Sequence, residues 1–229
     1  MVIFSKHRWL PFVLPLAVFL LVGSLEPTPA NPGGQTIGLS ISYAAYPWIY
    51  TLKIALTLAA LLLVRSTFAE FPRHVTPLAI IVGIVGAAVW IGLSQAFGHS
   101  TRSQFNPFAE LAGNMALTWG FFALRLVGLV IIVPLAEELF LRGFMMRFFV
   151  AAEWWKVPFG QLNALAIAVG TILPMFSHPG ELVAAAVWFS MVTWLMVKTK
   201  NFWNCVVAHA LTNLLLGIYV VVSGNWHLM

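Results

Sequence analysis

Residues 134–143, PLAEELFLRG, pose the central problem of this sequence, because they place Glu137, Glu138 and Arg142 directly after the apolar segment 114–133. A charged side chain at the centre of a bilayer costs about 2.5 kcal/mol or more. Only 8% of the 229 residues are charged. A chain so poor in charge is expected to keep three charges there only for a structural or chemical reason.

The composition around this segment predicts a membrane protein. The chain is 61% hydrophobic and 8% charged, whereas ordinary soluble domains have about 25% charged residues. A soluble protein of this size could not bury so much apolar surface. Lipid offers no hydrogen-bond partner to open sheet edges, so the spanning elements are expected to be helices. We predict an all-α, multi-pass transmembrane helical bundle of about seven or eight helices, with a single membrane domain over 1–229.

Seven apolar segments approach the roughly 20 residues that span a hydrocarbon core. They cover 9–25, 46–64, 77–97, 114–133, 160–176, 182–197 and 203–222. The fifth and sixth are short and are interrupted by PMFSHPG. The first segment also fits a signal peptide with Ala30 as its cleavage site, but we predict a retained first helix.

Basic residues predict the orientation, because cytoplasmic loops carry an excess of lysine and arginine. With the N-terminus in the cytoplasm, the outer side holds only Arg102 among the lysines and arginines named here. The inner side then holds Lys6, Arg8, Arg65, Arg73, Arg147, Lys156, Lys198 and Lys200. We expect a bacterial plasma membrane with the N-terminus cytoplasmic. This pattern accounts for the net charge of +5, so the lipid bilayer, and no nucleic acid, is the expected partner.

The segment EELFLR suggests different roles for its two glutamates. Glu138 and Arg142 are four residues apart and share a helix face, so they can pair. Glu137 is turned by about 100° from Glu138, which leaves it available as a base towards water. The alternative is a cytoplasmic helix end from which all three charges extend to the interface.

Two further polar groups lie in other apolar segments: His178 within FSHPG, and His209 with Asn213 within CVVAHALTNLL. Three such sites in separate helices predict a set of glutamate, two histidines and asparagine that faces one interior. Glutamate could activate a water, one histidine could position it, and histidine with asparagine could stabilise an oxyanion. Glu137, His178 and His209 could equally bind Zn²⁺. Both alternatives predict hydrolysis.

These motifs resemble the CAAX protease and bacteriocin-processing family of intramembrane peptidases, which is related to type II CAAX prenyl endopeptidases. The family motif Glu-Glu-x-x-x-Arg is matched by Glu137, Glu138 and Arg142. The motif His-x-x-x-Asn is matched by His209 and Asn213. The resemblance covers roughly 112–222, the predicted peptidase core, and leaves 1–111 as N-terminal helices of the same bundle.

The resemblance implies an intramembrane endopeptidase, metalloprotease-like in its reaction, that acts on a membrane-associated protein or a lipidated peptide. It implies that Glu137 activates water, that His178 helps to hold it, and that His209 and Asn213 stabilise the oxyanion. Glu138 belongs to the same catalytic set, and with Arg142 it would shape the site or tune Glu137. No His-Glu-x-x-His motif demands zinc.

The second family motif, Phe-x-x-x-His, is matched only at His178, because Pro174 stands in place of the phenylalanine. We expect Pro174 to break the helix and the local backbone to differ from the family pattern. Helix counting also puts Glu137 near the inner side and His178 near the outer side. They can cooperate only if the fifth helix is short or tilted, or if LPMFSHPG re-enters the membrane.

Two other functions stay open from the sequence. The same fold could be a non-catalytic binding or assembly partner whose polar residues brace the bundle. Alternatively, His178 and His209 could be axial ligands of a haem or metal-binding membrane carrier, although this reading gives Glu137 and Glu138 no role.

Overall fold

The computed structural model of the protein describes residues 7–28, 35–36, 39–98 and 105–228. The considered cleavage site Ala30 lies outside the described residues, as do Lys6 and Arg102.

Seven apolar helices within the described residues form a bundle, and they lie where the seven segments are predicted. They are α1 (Leu10–Gly23), α2 (Tyr46–Leu63), α3 (Pro77–Phe97), α4 (Met115–Phe148), α5 (Ala164–Met175), α6 (Leu182–Thr199) and α7 (Phe202–Ser223). By length and composition, five of these described helices can cross a membrane, whereas α1 and α5 are shorter. The prediction of an all-α transmembrane bundle is confirmed.

Short elements occupy the connections between these helices. Gln35–Thr36 pairs with Leu39–Ser40 as a two-residue antiparallel ladder. A single α-helical turn, Pro107–Glu110, precedes α4. Single 3₁₀ segments cover Tyr43–Ala45, Arg65–Glu70, Trp154–Lys156 and Trp226–Leu228.

The helix starts follow ordinary local rules. The side chains of Asn114, Asn163 and Asn201 accept hydrogen bonds from backbone N–H groups in the first turns of α4, α5 and α7. An asparagine in this position satisfies one of the amides that an α-helix leaves without an internal acceptor. Pro47 and Pro77 occupy the first turns of α2 and α3, where the missing proline N–H costs nothing. The polar residues between the apolar segments therefore fix the ends of several helices.

Helix α4 is longer than the sequence predicts, because segment 114–133 continues through PLAEELFLRG to Phe148. Two π-helical stretches, Gly128–Ile132 and Leu139–Met145, interrupt its α-helical turns. Such bulges are frequent at functional sites. The charged motif thus lies inside a long apolar helix, not at a helix end.

Helices α3, α6 and α7 form the centre of the bundle. A Cβ atom on Gly83 of α3 would come within 2.9 Å of the Leu211 Cβ on α7, so the glycine allows the two backbones to approach closely. At this crossing the Thr212 hydroxyl donates to the Gly83 carbonyl at 2.9 Å, and the Trp188 indole of α6 donates to Thr212 at 3.1 Å. The three helices are therefore joined by packing and by a short polar chain.

One buried ion pair fastens α1 to α2. Lys53 Nζ lies 2.6 Å from Glu26 Oε1, and the ammonium group also stands over the Phe19 ring at 4.4 Å. The pairing lowers the cost of a charge on an apolar helix. This ion pair, away from the EELFLR motif, therefore stabilises the packing of α1 against α2.

Helix α5 is short. Its 12 residues span only about 18 Å at 1.5 Å per residue. Pro174 lies inside its last turn, and the helix ends one residue later, at Met175. The expectation that Pro174 itself breaks the helix is therefore wrong. The following turn carries His178 back against rings of α3 and α6, at Trp90 and Phe189. A short fifth helix was one of the conditions under which His178 and Glu137 could cooperate.

Candidate active site

Glu138 and Arg142 form a fully buried ion pair within α4. Arg142 Nη1 lies 2.5 Å from Glu138 Oε2, and both side chains are 0% exposed. The pairing predicted from their four-residue spacing is confirmed. Because neither group reaches the surface, the alternative in which these charges extend to the interface is wrong for Glu138 and Arg142. A buried carboxylate requires such a partner, since an isolated charge in this environment is strongly unfavourable.

The second oxygen of Glu138 holds His209 of α7. His209 Nδ1 lies 2.9 Å from Glu138 Oε1. A carboxylate in an ion pair can only accept, so Nδ1–H is the donor. This hydrogen bond fixes the ring orientation and directs Nε2 to the other side. Glu138 therefore links a charge on α4 to the imidazole of α7.

Glu137 lies on the other side of that imidazole. Its Oε2 is 3.9 Å from His209 Nε2, and its side chain is 20% exposed whereas that of Glu138 is 0% exposed. This separation is too long for a direct hydrogen bond, but one water can bond to both atoms from the side. Of the two adjacent glutamates, one is thus fully engaged and the other is accessible.

Asn213, one turn after His209, bonds to the first π-helical stretch of α4. Asn213 Nδ2 donates to the Leu129 carbonyl at 2.9 Å. In this stretch the Val133 N–H donates to the Gly128 carbonyl, the five-residue pattern of a π-helix. The next donor in that pattern would be residue 134, which is proline and has no N–H. The Leu129 carbonyl is therefore left for the asparagine, and α7 is joined to α4 directly beside the glutamates.

Two aromatic residues that the sequence does not single out surround His209. The Trp188 ring meets the His209 ring edge-to-face, with centroids 4.6 Å apart, and the Phe189 centroid lies at 6.5 Å. The hydrogen bond from Trp188 to Thr212 holds the indole in place. In the sequence both residues look like part of an apolar run, and no local signal distinguishes them from lipid-facing aromatics.

His178 does not join the cluster directly. Its ring contacts Trp90 and Phe189, with centroids 5.3 Å and 5.7 Å away, and Nδ1 lies 3.0 Å from the Pro174 carbonyl oxygen. A carbonyl only accepts, so Nδ1–H is the donor. The structure thus brings Glu137, Glu138, Arg142, His209 and Asn213 together. His178 is linked to His209 only indirectly, through the Phe189 ring and through the rings of Trp90 and Trp188.

The candidate metal ligands do not form a compact set. Among the residues that the structure describes, no group of three or more His, Cys, Asp or Glu side chains could hold a metal ion. Glu137 and His209 approach each other, but His178 stands apart from them. The residues present therefore do not fit the proposed Zn²⁺ site, and we derive no step through a metal.

The helices define an integral membrane protein with a buried polar site inside its bundle. Residues 118–215 match the family model described as Type II CAAX prenyl endopeptidase Rce1-like. The matched region spans somewhat less than half of the chain and lies within the predicted core 112–222. It contains every residue of the cluster as well as His178. The description of this family names a prenyl endopeptidase, which is a hydrolase of peptide bonds.

Neither the curated proteins nor the solved structures gave a match to this chain.

Proposed function

We propose that this protein is an intramembrane endopeptidase that hydrolyses a peptide bond of a membrane-associated substrate with water activated by Glu137. One observation carries the proposal: the accessible Glu137 carboxylate faces His209 Nε2 at 3.9 Å, while the buried Glu138 holds His209 Nδ1. A base within reach of one shared water, beside an imidazole of fixed orientation, is the geometry that general-base hydrolysis needs.

The reaction begins with a water held by Glu137 and His209. Glu137 removes a proton as the water oxygen attacks the carbonyl carbon of the scissile amide, and the carbonyl oxygen becomes an oxyanion. In this scheme the Nε2–H of His209 bonds first to the oxygen of the water and then to this oxyanion, while Nδ1–H stays bonded to Glu138. Asn213 Nδ2 has a second hydrogen besides the one given to Leu129, and it supplies another donor. Glu137 then returns its proton to the leaving nitrogen as the C–N bond breaks.

Glu138 and Arg142 have a positioning role in this scheme. Glu138 keeps the His209 ring turned so that Nε2 faces Glu137, and Arg142 keeps Glu138 ionised and in place. Removal of water from such a site strengthens each of these interactions.

The proposal is tested with the purified protein in liposomes. The probe is a prenylated CAAX peptide, because the family description names a prenyl endopeptidase, and the unprenylated peptide is offered in parallel. The wild-type protein is expected to release the C-terminal fragment and the Glu137→Gln variant is not. If neither peptide is cleaved but another membrane-anchored peptide is, the substrate class changes while the assignment of an endopeptidase stands.

His178→Phe is expected to leave kcat and KM for the cleaved peptide nearly unchanged, because the His178 ring contacts Trp90 and Phe189 and stands apart from Glu137 and His209, which hold the attacking water. Phenylalanine keeps the ring contacts with Trp90 and Phe189, so the fold should persist. Steady-state kinetics of the reconstituted variant measure both constants. A fall in kcat of about tenfold or more with KM unchanged would contradict this and show that His178 helps to hold the water, as the family resemblance implies.

A second candidate is a non-catalytic binding or assembly partner. It is favoured by the bracing bonds that several of the polar groups make, since Glu138 pairs with Arg142 and Asn213 bonds to the α4 backbone. The Glu137→Gln variant separates the two functions in cells that lack the wild-type gene. Full complementation by this variant would favour the partner role.

A third candidate is a haem or metal-binding carrier in which His178 and His209 are the axial ligands. His178 and His209 both contact Phe189 and share no direct bond. A visible absorption spectrum of the purified protein decides this alternative, because bound haem absorbs strongly there.

We also propose that the N-terminus is cytoplasmic and that the membrane is a bacterial plasma membrane, on the basis of the lysine and arginine distribution. Cysteine substitutions at Arg65 and Glu110, each in a Cys205→Ala background, test the orientation with a membrane-impermeant thiol reagent. Labelling in intact cells is expected at position 110 and not at position 65.

A further inference from the structure

A cavity separate from the candidate active site lies where several helices end. It has a volume of about 210 Å³ and is lined by residues that include Glu70, Arg147, Trp155, Lys156 and Lys200. We call it the helix-end pocket. It lies at the C-terminal ends of α4 and α6 and beside the 3₁₀ turn that follows α2. One water occupies about 30 Å³ in the liquid, so the pocket has room for a group several times that size.

The wall of the pocket holds a buried guanidinium. Arg147 is 7% exposed, and its nitrogens donate to the carbonyls of Val157 at 3.0 Å, Gly143 at 3.0 Å and Trp155 at 3.4 Å. These acceptors are neutral. Within the described part of the chain, no carboxylate lies within ion-pair distance of Arg147, so its positive charge is not neutralised by direct pairing.

Two other cations, Lys156 and Lys200, line the same pocket, and a third, Arg8, contacts one of its lining residues. The Arg8 guanidinium stands 4.9 Å from the centre of the Trp155 ring. Lys156 pairs with Glu153 at 2.8 Å in an exposed ion pair. Lys200 follows the last residue of α6 in the left-handed conformation, with φ of 50°. Against these four cations stand two carboxylates, Glu70 and Glu153, so the region is electropositive.

The location favours a lipid over a soluble anion. Phe148 and Phe149, at the end of α4, are 45% and 37% exposed, and Leu63, at the end of α2, is 62% exposed. Apolar side chains beside a charged pocket match a ligand that has a charged head and hydrocarbon chains. Tryptophans such as Trp155 are typical of the interface between membrane and water.

We propose that the helix-end pocket binds the phosphate headgroup of an anionic phospholipid. Basic pockets between membrane helices on the cytoplasmic side bind such headgroups, and each lysine or arginine near an anionic surface contributes appreciably. Cations that merely extend from separate helix ends would point outward. Here they converge on a concave surface around a buried arginine.

The experiment measures the thermal unfolding midpoint of the detergent-solubilised full chain during titration with phosphatidylglycerol, because a ligand that binds the folded state stabilises it. Phosphatidylcholine and inorganic phosphate are titrated in parallel. Phosphatidylglycerol is expected to raise the midpoint saturably, and the other two are not. Equal stabilisation by inorganic phosphate, or by phosphatidylcholine, would overturn the assignment of an anionic lipid.

The variants localise the binding. Lys200→Gln is expected to weaken phosphatidylglycerol binding by about fivefold, and Glu70→Gln is expected to strengthen it by a similar factor. Lys198→Gln is the matched control, because Lys198 is an exposed cation two residues away on the same helix that does not line the pocket. An equal loss in Lys198→Gln and Lys200→Gln would show diffuse attraction and overturn the proposal. The affinity for phosphatidylglycerol is expected to rise in Glu70→Gln and to fall in Lys200→Gln. A general loss of stability would not change the affinity in opposite directions.

Discussion

Glu137→Gln is expected to lower kcat for peptide cleavage by about 10²- to 10⁴-fold, the range for removal of a positioned general base. Glutamine has nearly the same shape as glutamate and can bond to the same water, but it cannot take the proton. The hydrogen bond between Glu138 and His209 is left in place, so the fold and membrane insertion should persist. Cleavage by the reconstituted variant is measured under single-turnover conditions.

Glu153→Gln is the matched control for this prediction. Glu153 is also a glutamate, but its side chain is 59% exposed, pairs with Lys156 and lies in the connection after α4. Its replacement is expected to leave kcat unchanged. Full activity of Glu137→Gln in a correctly inserted protein would reject the mechanism with Glu137 as base, whether or not lipid binds at the helix-end pocket.

Glu138→Ala is expected to lower the free energy of unfolding by about 3–5 kcal/mol, because it leaves the Arg142 guanidinium buried without its carboxylate. The side chains of both residues are 0% exposed, so water cannot replace the lost partner without a rearrangement of the bundle. His209 loses its Nδ1 acceptor at the same time. Unfolding of the detergent-solubilised protein by denaturant measures the change.

A double variant separates stability from positioning. Replacing Glu138 and Arg142 together by leucine removes both charges, and such a replacement of a buried pair is often neutral or stabilising. We expect most of the stability to return and the activity to stay low, because His209 still lacks its carboxylate. Restored cleavage in the double variant would contradict the positioning role of Glu138.

The sequence predicts the bundle well because lipid leaves few alternatives to apolar helices. The spacing of Glu138 and Arg142 also predicts their pairing, since four residues bring two side chains to one helix face. Both predictions depend on local periodicity. They require no knowledge of how the helices pack.

Other features depend on contacts between distant segments and are not predicted. The end of α4 is placed too early because Pro134 and the charges look like a helix boundary, whereas a π-helical stretch accommodates the proline. The contact of Trp188 with His209 depends on how α6 packs against α7. The position of His178 depends on the length of α5, which apolar composition alone does not fix.

The π-helical stretch before Pro134 has a consequence for the evolution of the site. A stretch of this kind is equivalent to one residue inserted into a regular helix. Deleting one residue between Gly128 and Ile132 would restore the α-helical phase and rotate everything downstream by about 100°. Both glutamates would then turn away from α7, although no residue of the motif itself had changed. The spacing inside Glu-Glu-x-x-x-Arg is thus not enough to define a site, because the register of the helix that carries it decides which way the carboxylates face.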